Sequence, residues 1–232
     1  MFDLDAWIES YLKALDDTFG YRVWFAGLQG SRGRGEATEN SDIDMAVVLD
    51  TLYPRDIAVY DAMLNALPHR DMACGFLSGK DELLGWDPAD LFWFCHDTTP
   101  LIGSLDEILK KIGPDDAARA VRTGACNIYH GCVHNMLYEK DPGALPGLYK
   151  AAAFVIRAAV YQRTGRFYRK LTDLREQVTG QEAAILDAYA AMRSRAPADL
   201  TAPSEDLFRW VQKVITSAPA INLSQEERCI PR

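Results

Sequence analysis

The sequence predicts an α/β core followed by an all-α helical bundle, and three observations carry that prediction. Two short apolar runs, Val23 to Ala26 and Ile43 to Leu49, bracket a glycine-rich turn and have the length of buried strands. Helix-period apolar patterns flank them over residues 3–17 and 54–67. Beyond Gly113-Pro114-Asp115 almost every segment has helical periodicity, so the expected division is an α/β domain over residues 1–113 and a bundle over 114–232.

Taken in order, the first helix carries Phe2, Leu4, Trp7, Ile8, Tyr11, Leu12 and Leu15 on one broad face, has Asp3 or Asp5 near its start, and ends at Gly20. The two strands follow. Pro54 and Asp56 open a second helix that Pro68 stops, and Asp71 to Leu77 is the third predicted strand. From Gly79 the pattern loosens: a helical turn over 81–84, an apolar strand or short helix over Asp90 to Cys95, and a helix over 106–112. Trp86, Phe92, Trp93 and Phe94 have the composition of core, and His96-Asp97 that of a structural hydrogen-bond pair. Four helices are expected in the second half: Ala117 to Tyr138, Leu148 to Tyr161, Gln181 to Arg195 and Glu205 to Ala218, with breaks at Gly143 to Pro146, Thr164-Gly165 and Ala196 to Pro203.

Composition narrows the function. The chain has 232 residues, 48% of them apolar, enough for one large domain or two small ones. A net charge of −8 and a pI near 5.0 disfavour a long nucleic-acid partner, since binding a polyanion needs clustered Lys and Arg. Five scattered cysteines, Cys74, Cys95, Cys126, Cys132 and Cys229, lack a disulfide framework and point to a reducing cytoplasm. No leader is expected, and no apolar run of bilayer length.

The chemistry lies between the two strands. Asp42 and Asp44 are two apart on a strand, and a period of two aims both carboxylates the same way. Two like charges side by side call for a cation, and Mg²⁺ is held by one or two carboxylates together with substrate phosphates. Upstream, Gly30-Ser31 lets backbone N–H groups and a hydroxyl approach phosphate oxygens.

Gly30-Ser31, a short spacer and Asp42-Ile43-Asp44 between apolar residues, within GSRGRGEATENSDIDMAVV, resembles the signature of the DNA polymerase β-type nucleotidyltransferase superfamily, in particular its small bacterial members and kanamycin-type antibiotic adenylyltransferases. The resemblance implies an α/β nucleotidyltransferase core, a small mixed sheet with helices, plus a C-terminal all-α helical bundle. It implies transfer of AMP from ATP to a hydroxyl of a small acceptor such as an aminoglycoside or lincosamide, with pyrophosphate released and one or two Mg²⁺ ions as cofactor. Asp42, Asp44 and Asp71 would be catalytic and metal-binding, Asp71 as the third carboxylate that members usually carry on a neighbouring strand. Gly30, Ser31, Arg32, Ser41 and Lys150 would bind the nucleotide. Lys150 and Arg157 lie two helical turns apart on one predicted face, in a segment that looks like the helical part of the adenylyltransferases. Arg166, Arg169 and Lys170 have the pattern of an exposed basic turn.

The expected partners are a nucleoside triphosphate and a small acceptor, with the chain a monomer or homodimer and no membrane involved. A different class of function is a nucleotidyltransferase-fold antitoxin or regulatory protein acting on a protein partner, or a degenerate nucleotide binder. Cys126, His130 and His134, spaced by four, invite a zinc reading. Three ligands on successive turns of one straight helix spread over roughly 12 Å, too far for one ion, so a His130-His134 pair would need ligands from elsewhere.

Overall fold

The computed structural model describes residues 2–39, 41–195 and 197–217. Ala196, Ala218 and Cys229 lie outside the described residues. The chain divides into two compact units, the first comprising Met1–Ala117 with Phe167–Lys170, the second Ala118–Arg166 with Leu171–Arg232.

The first unit is built on a four-stranded sheet in the order β3-β2-β1-β4, from β1 (Val23–Leu28), β2 (Ile43–Leu49), β3 (Ala73–Gly79) and β4 (Thr99–Ile102). β1 runs antiparallel to β2 and β4, and β2 runs parallel to β3, so the sheet is mixed. Helix α1 (Leu4–Phe19) starts at Asp3, whose carboxylate accepts from the Ala6 N–H. Trp7, Tyr11, Leu15 and Phe19 of α1 pack with Ile43, Met45, Val47 and Leu49 of β2 and with Met63 and Leu64 of α3 (Pro54–Asn65). Alternate residues of β2 therefore fill this core, and Asp44 belongs to the other face.

The third strand is shifted by two residues from its expected span. Asp71 lies in a 3-10 turn, Arg70–Met72, ahead of β3. The ambiguous aromatic stretch is a helix, α5 (Pro88–Asp97), after a short α4 (Lys80–Leu84) and ahead of the unpredicted edge strand β4. Phe92 and Phe94 are buried, whereas Trp86 is 38% exposed. Between β1 and β2 lies a single helical turn, α2 (Gly30–Gly33), and another, α6 (Asp106–Leu109), follows β4.

The remaining helices are α7 (Pro114–His134), α8 (Leu145–Thr164), α9 (Leu171–Arg175), α10 (Gly180–Met192) and α11 (Thr201–Thr216). A Cβ on Gly124 would come within 2.6 Å of Val155, and one on Gly131 within 2.7 Å of Leu148, so two glycines seven apart let α7 lie tightly on α8. α7 ends four residues earlier than expected, because Asn135–Glu139 form a π-helical turn. Pro142–Thr164 is long and apolar enough to cross a membrane by length and composition, contrary to the expectation of no such run. Its apolar side chains, among them Leu145, Tyr149, Ile156 and Val160, are those of a buried core helix.

Candidate active site

The site grows from the turn that links β1 to β2. Gly30 has φ of +66°, and a Cβ placed there would fall 1.8 Å from Asp44 Oδ2. Only glycine fits both the left-handed backbone and the carboxylate pressed against it. The Gln29 N–H donates to the Asp44 carbonyl at 2.8 Å, which ties the loop to the strand that carries the acid. Ile43 is fully buried between the two acids: Asp44, the second residue of β2, belongs to the face opposite α1, and Asp42 immediately precedes the strand. Asp42 is exposed and Asp44 half-buried.

The other predicted residues are distributed more widely. Arg32 folds back on the loop, Nε donating to the Ser41 and Asp42 carbonyls at 3.1 Å each and Nη2 to the Ser41 carbonyl at 2.7 Å. Its guanidinium also lies 4.8 Å from the centre of the Phe2 ring. The Ser41 hydroxyl accepts from the Thr38 N–H at 2.9 Å, closing the turn that delivers Asp42. Among the described residues no three histidine, cysteine or carboxylate side chains converge as a metal site, so Asp71 is not gathered with Asp42 and Asp44. The β3 residue in register with Asp44 is the exposed Cys74. Lys150 is exposed on α8, whereas Arg157 is only 2% exposed and lies 5.1 Å from the Phe154 ring centre, so the two do not share an environment.

What sequence reasoning missed is the segment Phe167–Lys170, which is part of the first unit. Arg169 is half-buried, not part of an exposed basic turn. It donates to the Gly33 carbonyl at 3.1 Å, the Asp97 carbonyl at 2.9 Å and the Thr99 hydroxyl at 2.9 Å. Lys170 is exposed, its Cε 3.9 Å from where a Cβ on Gly35 would stand. Phe167 stacks on His96 with 4.6 Å between ring centres and an interplanar angle of 10°. Burial pushes the His96 pKa down to about 4. Asp97 pairs with Arg34 rather than with His96, the Arg34 Nη1 lying 2.8 and 2.6 Å from its two oxygens, and Arg34 is itself buried. The signal in the sequence was the aromatic and cationic density of RFYRK after Gly165.

Residues 8–92 match the family model of the nucleotidyltransferase domain. Among solved structures, the chain is similar to spectinomycin adenyltransferase AAD(9) from Enterococcus faecialis, determined with ATP and spectinomycin. The TM-score is 0.62 at 13% identity, with 92% of this chain and all of that one covered. At that identity the likeness is one of fold. No curated protein matches the sequence.

Proposed function

We propose that this chain, a nucleotidyltransferase by the domain it carries over residues 8–92, transfers AMP from ATP to a hydroxyl of a small, hydroxylated and cationic acceptor, antibiotics of the aminocyclitol or aminoglycoside class being the leading candidates. The observation that carries the reading is the fit of Gly30 against Asp44, which sets the Gly30-Ser31 turn directly against that carboxylate, with Asp42 two residues before it. The acidic net charge suits a cationic acceptor, and the similar spectinomycin adenyltransferase was determined with an antibiotic of that kind.

The pair Asp42 and Asp44 has the hard oxygen donors that suit Mg²⁺, which takes its other ligands from water and phosphate oxygens and so needs no third protein carboxylate. When bound, the ion supplies charge neutralisation at the triphosphate. Gly30 and Ser31 hydrogen-bond the phosphate oxygens and hold the α-phosphorus in line with the acceptor. Arg32 and Ser41 support the loop through the contacts above and stand with it as candidate contacts to the nucleotide. The acceptor oxygen forms a bond to the α-phosphorus as the bond to the bridging oxygen breaks. Pyrophosphate departs, and the hydroxyl proton passes to solvent or to a carboxylate other than Asp71, which is not gathered with Asp42 and Asp44. Lys170 is the stronger choice for the phosphate-facing cation, since it stands beside Gly35, and Lys150 is the alternative. A cytoplasmic location accords with ATP as substrate and with free Cys74, Cys95, Cys126 and Cys132.

Calorimetric titration of ATP, with and without Mg²⁺, into the protein and into Asp42→Asn tests the site. Metal-dependent binding that the substitution removes is the expected result, followed by transfer of labelled AMP to an aminocyclitol. Equal binding by both proteins would overturn the assignment.

A further inference from the structure

The glycine turn is fastened to the end of α5. Arg34 follows α2 directly, and its N–H donates to the Gly30 carbonyl at 3.1 Å, while the Glu36 N–H donates to the Ser31 carbonyl at 2.8 Å. Arg34 and Glu36 are thereby tied to Gly30 and Ser31 through one turn of backbone. The Arg34 side chain, only 6% exposed, places Nη1 2.8 and 2.6 Å from the two Asp97 oxygens and Nε 3.3 Å from Glu36. Asp97 is the last residue of α5, and its side chain is 13% exposed. Next to it the Thr98 hydroxyl accepts from Gln29 Nε2 at 2.6 Å, and the Thr99 hydroxyl donates to the Gly33 carbonyl at 3.3 Å. Both ends of the turn, Gln29 before Gly30 and Gly33-Arg34 after it, are therefore pinned to residues 97–99.

The Arg34 guanidinium stands at the C-terminus of α5, where the helix dipole favours a cation. Taking two charges out of water costs nearly as much as their attraction gains, so a buried pair adds little net stability over apolar residues of the same size. An arrangement that separates the partners leaves a charge buried alone and is strongly disfavoured. The turn itself has little tolerance, since Gly30 is pressed against Asp44 Oδ2, and a small rotation would redirect the Gly30 and Ser31 N–H groups.

We propose that Arg34 and Asp97 are positioning residues for nucleotidyl transfer, their buried ion pair selecting the one orientation in which the Gly30-Ser31 turn meets the triphosphate. The inference rests on the proposed function and adds two residues that act through the turn. Asp97, adjacent to the aromatic helix face and remote in sequence from the glycine turn, thus acquires a role in the reaction without touching the reacting atoms.

The test compares Asp97→Asn with Asp56→Asn in the full chain. Asp56 holds Arg22 through two guanidinium nitrogens at 3.0 and 2.7 Å and is 3% exposed, but Arg22 lies at the opposite end of β1 from the turn. Titration of ATP with Mg²⁺ by calorimetry counts the folded chains, and transfer of labelled AMP to an aminocyclitol gives kcat and KM. Asp97→Asn should bind ATP at the parent's stoichiometry with little change in KM and lose about 100-fold in kcat, the effect of misplacing reacting groups by about 1 Å. Its amides over residues 31–36 should exchange hydrogen faster. Asp56→Asn should melt at a lower temperature yet keep the parent's kcat. Should Asp97→Asn fail to fold, Arg34→Gln combined with Asp97→Asn, which leaves neither charge buried alone, should show the same loss of kcat. Parental kcat in the folded Asp97 variant, or an equal loss in Asp56→Asn, would overturn the positioning role. A parent that transfers no AMP and binds ATP no better than Asp42→Asn would overturn the function on which the inference rests.

Discussion

The loop from Gly30 to Asp42 and the turn from Asn135 to Glu139 both bend the chain sharply to set a carboxylate beside another functional group, yet they do it by opposite means. The first uses a residue without a side chain: Gly30 takes a positive φ, and its missing Cβ makes room for Asp44. The second uses a hydrogen-bond repeat that departs from the helix around it, locked by the Asn135 side chain. The first device shows in the sequence because glycine next to serine, ahead of Asp-x-Asp, joins a backbone preference to a strand spacing within a few residues. The second does not, since Asn-Met-Leu-Tyr-Glu has no residue that forbids an α-helix.

The comparison sharpens at the acids. Asp44→Asn, or Asp42→Asn, should reduce AMP transfer by about 10²- to 10³-fold or more while unfolding midpoints in urea stay close to those of the parent. A variant of normal activity would break the reading of this loop as catalytic. Gly30→Ala is the next largest: strain at a positive φ together with the collision at Asp44 should cost up to about 3 kcal/mol in denaturant unfolding and lower transfer as well. If Gly30→Ala loses neither, the left-handed turn is not what positions Asp44.

Arg169→Ala removes the side chain that reaches three acceptors around the loop, and a loss of about 1–2 kcal/mol is expected. It is read by chemical denaturation, and the amides of residues 33–36 should exchange hydrogen faster. Unchanged exchange there would show that the loop holds itself. The smallest effect concerns His96. Its pKa is near 4 in the folded chain and about 6.5 when unfolded, so between those values the unfolded state binds more protons and stability falls as pH is lowered from 6.5 towards 4. His96→Phe should flatten that part of the stability profile, and an unaltered profile would assign the slope to other groups.

Much of the first unit was legible in the sequence for local reasons. The apolar run Ile43 to Leu49, the capping acid Asp3 and the Pro54 start of α3 are properties of neighbouring residues. The errors fall where neighbours do not decide. β4 carries Pro100 in a run of four residues and exists because β1 offers it an antiparallel edge. Asp71 lacks a strand position because β3 pairs with β2 only from Ala73 onward. The long basic side chains were the hardest to assign, since Arg32 and Arg169 each reach several ångströms to partners that spacing does not predict.

By itself the sequence determined the glycine turn, the paired carboxylates and the helical second half, because each depends on spacing along a regular element or on a residue's own backbone preferences. Only the tertiary structure decided that Arg169, 136 positions from Gly33, would hold that loop, and that Glu139 would turn back to His134. A hydrogen bond or ion pair acts across a few ångströms of space regardless of distance along the chain, so its partners are known only once the chain has folded.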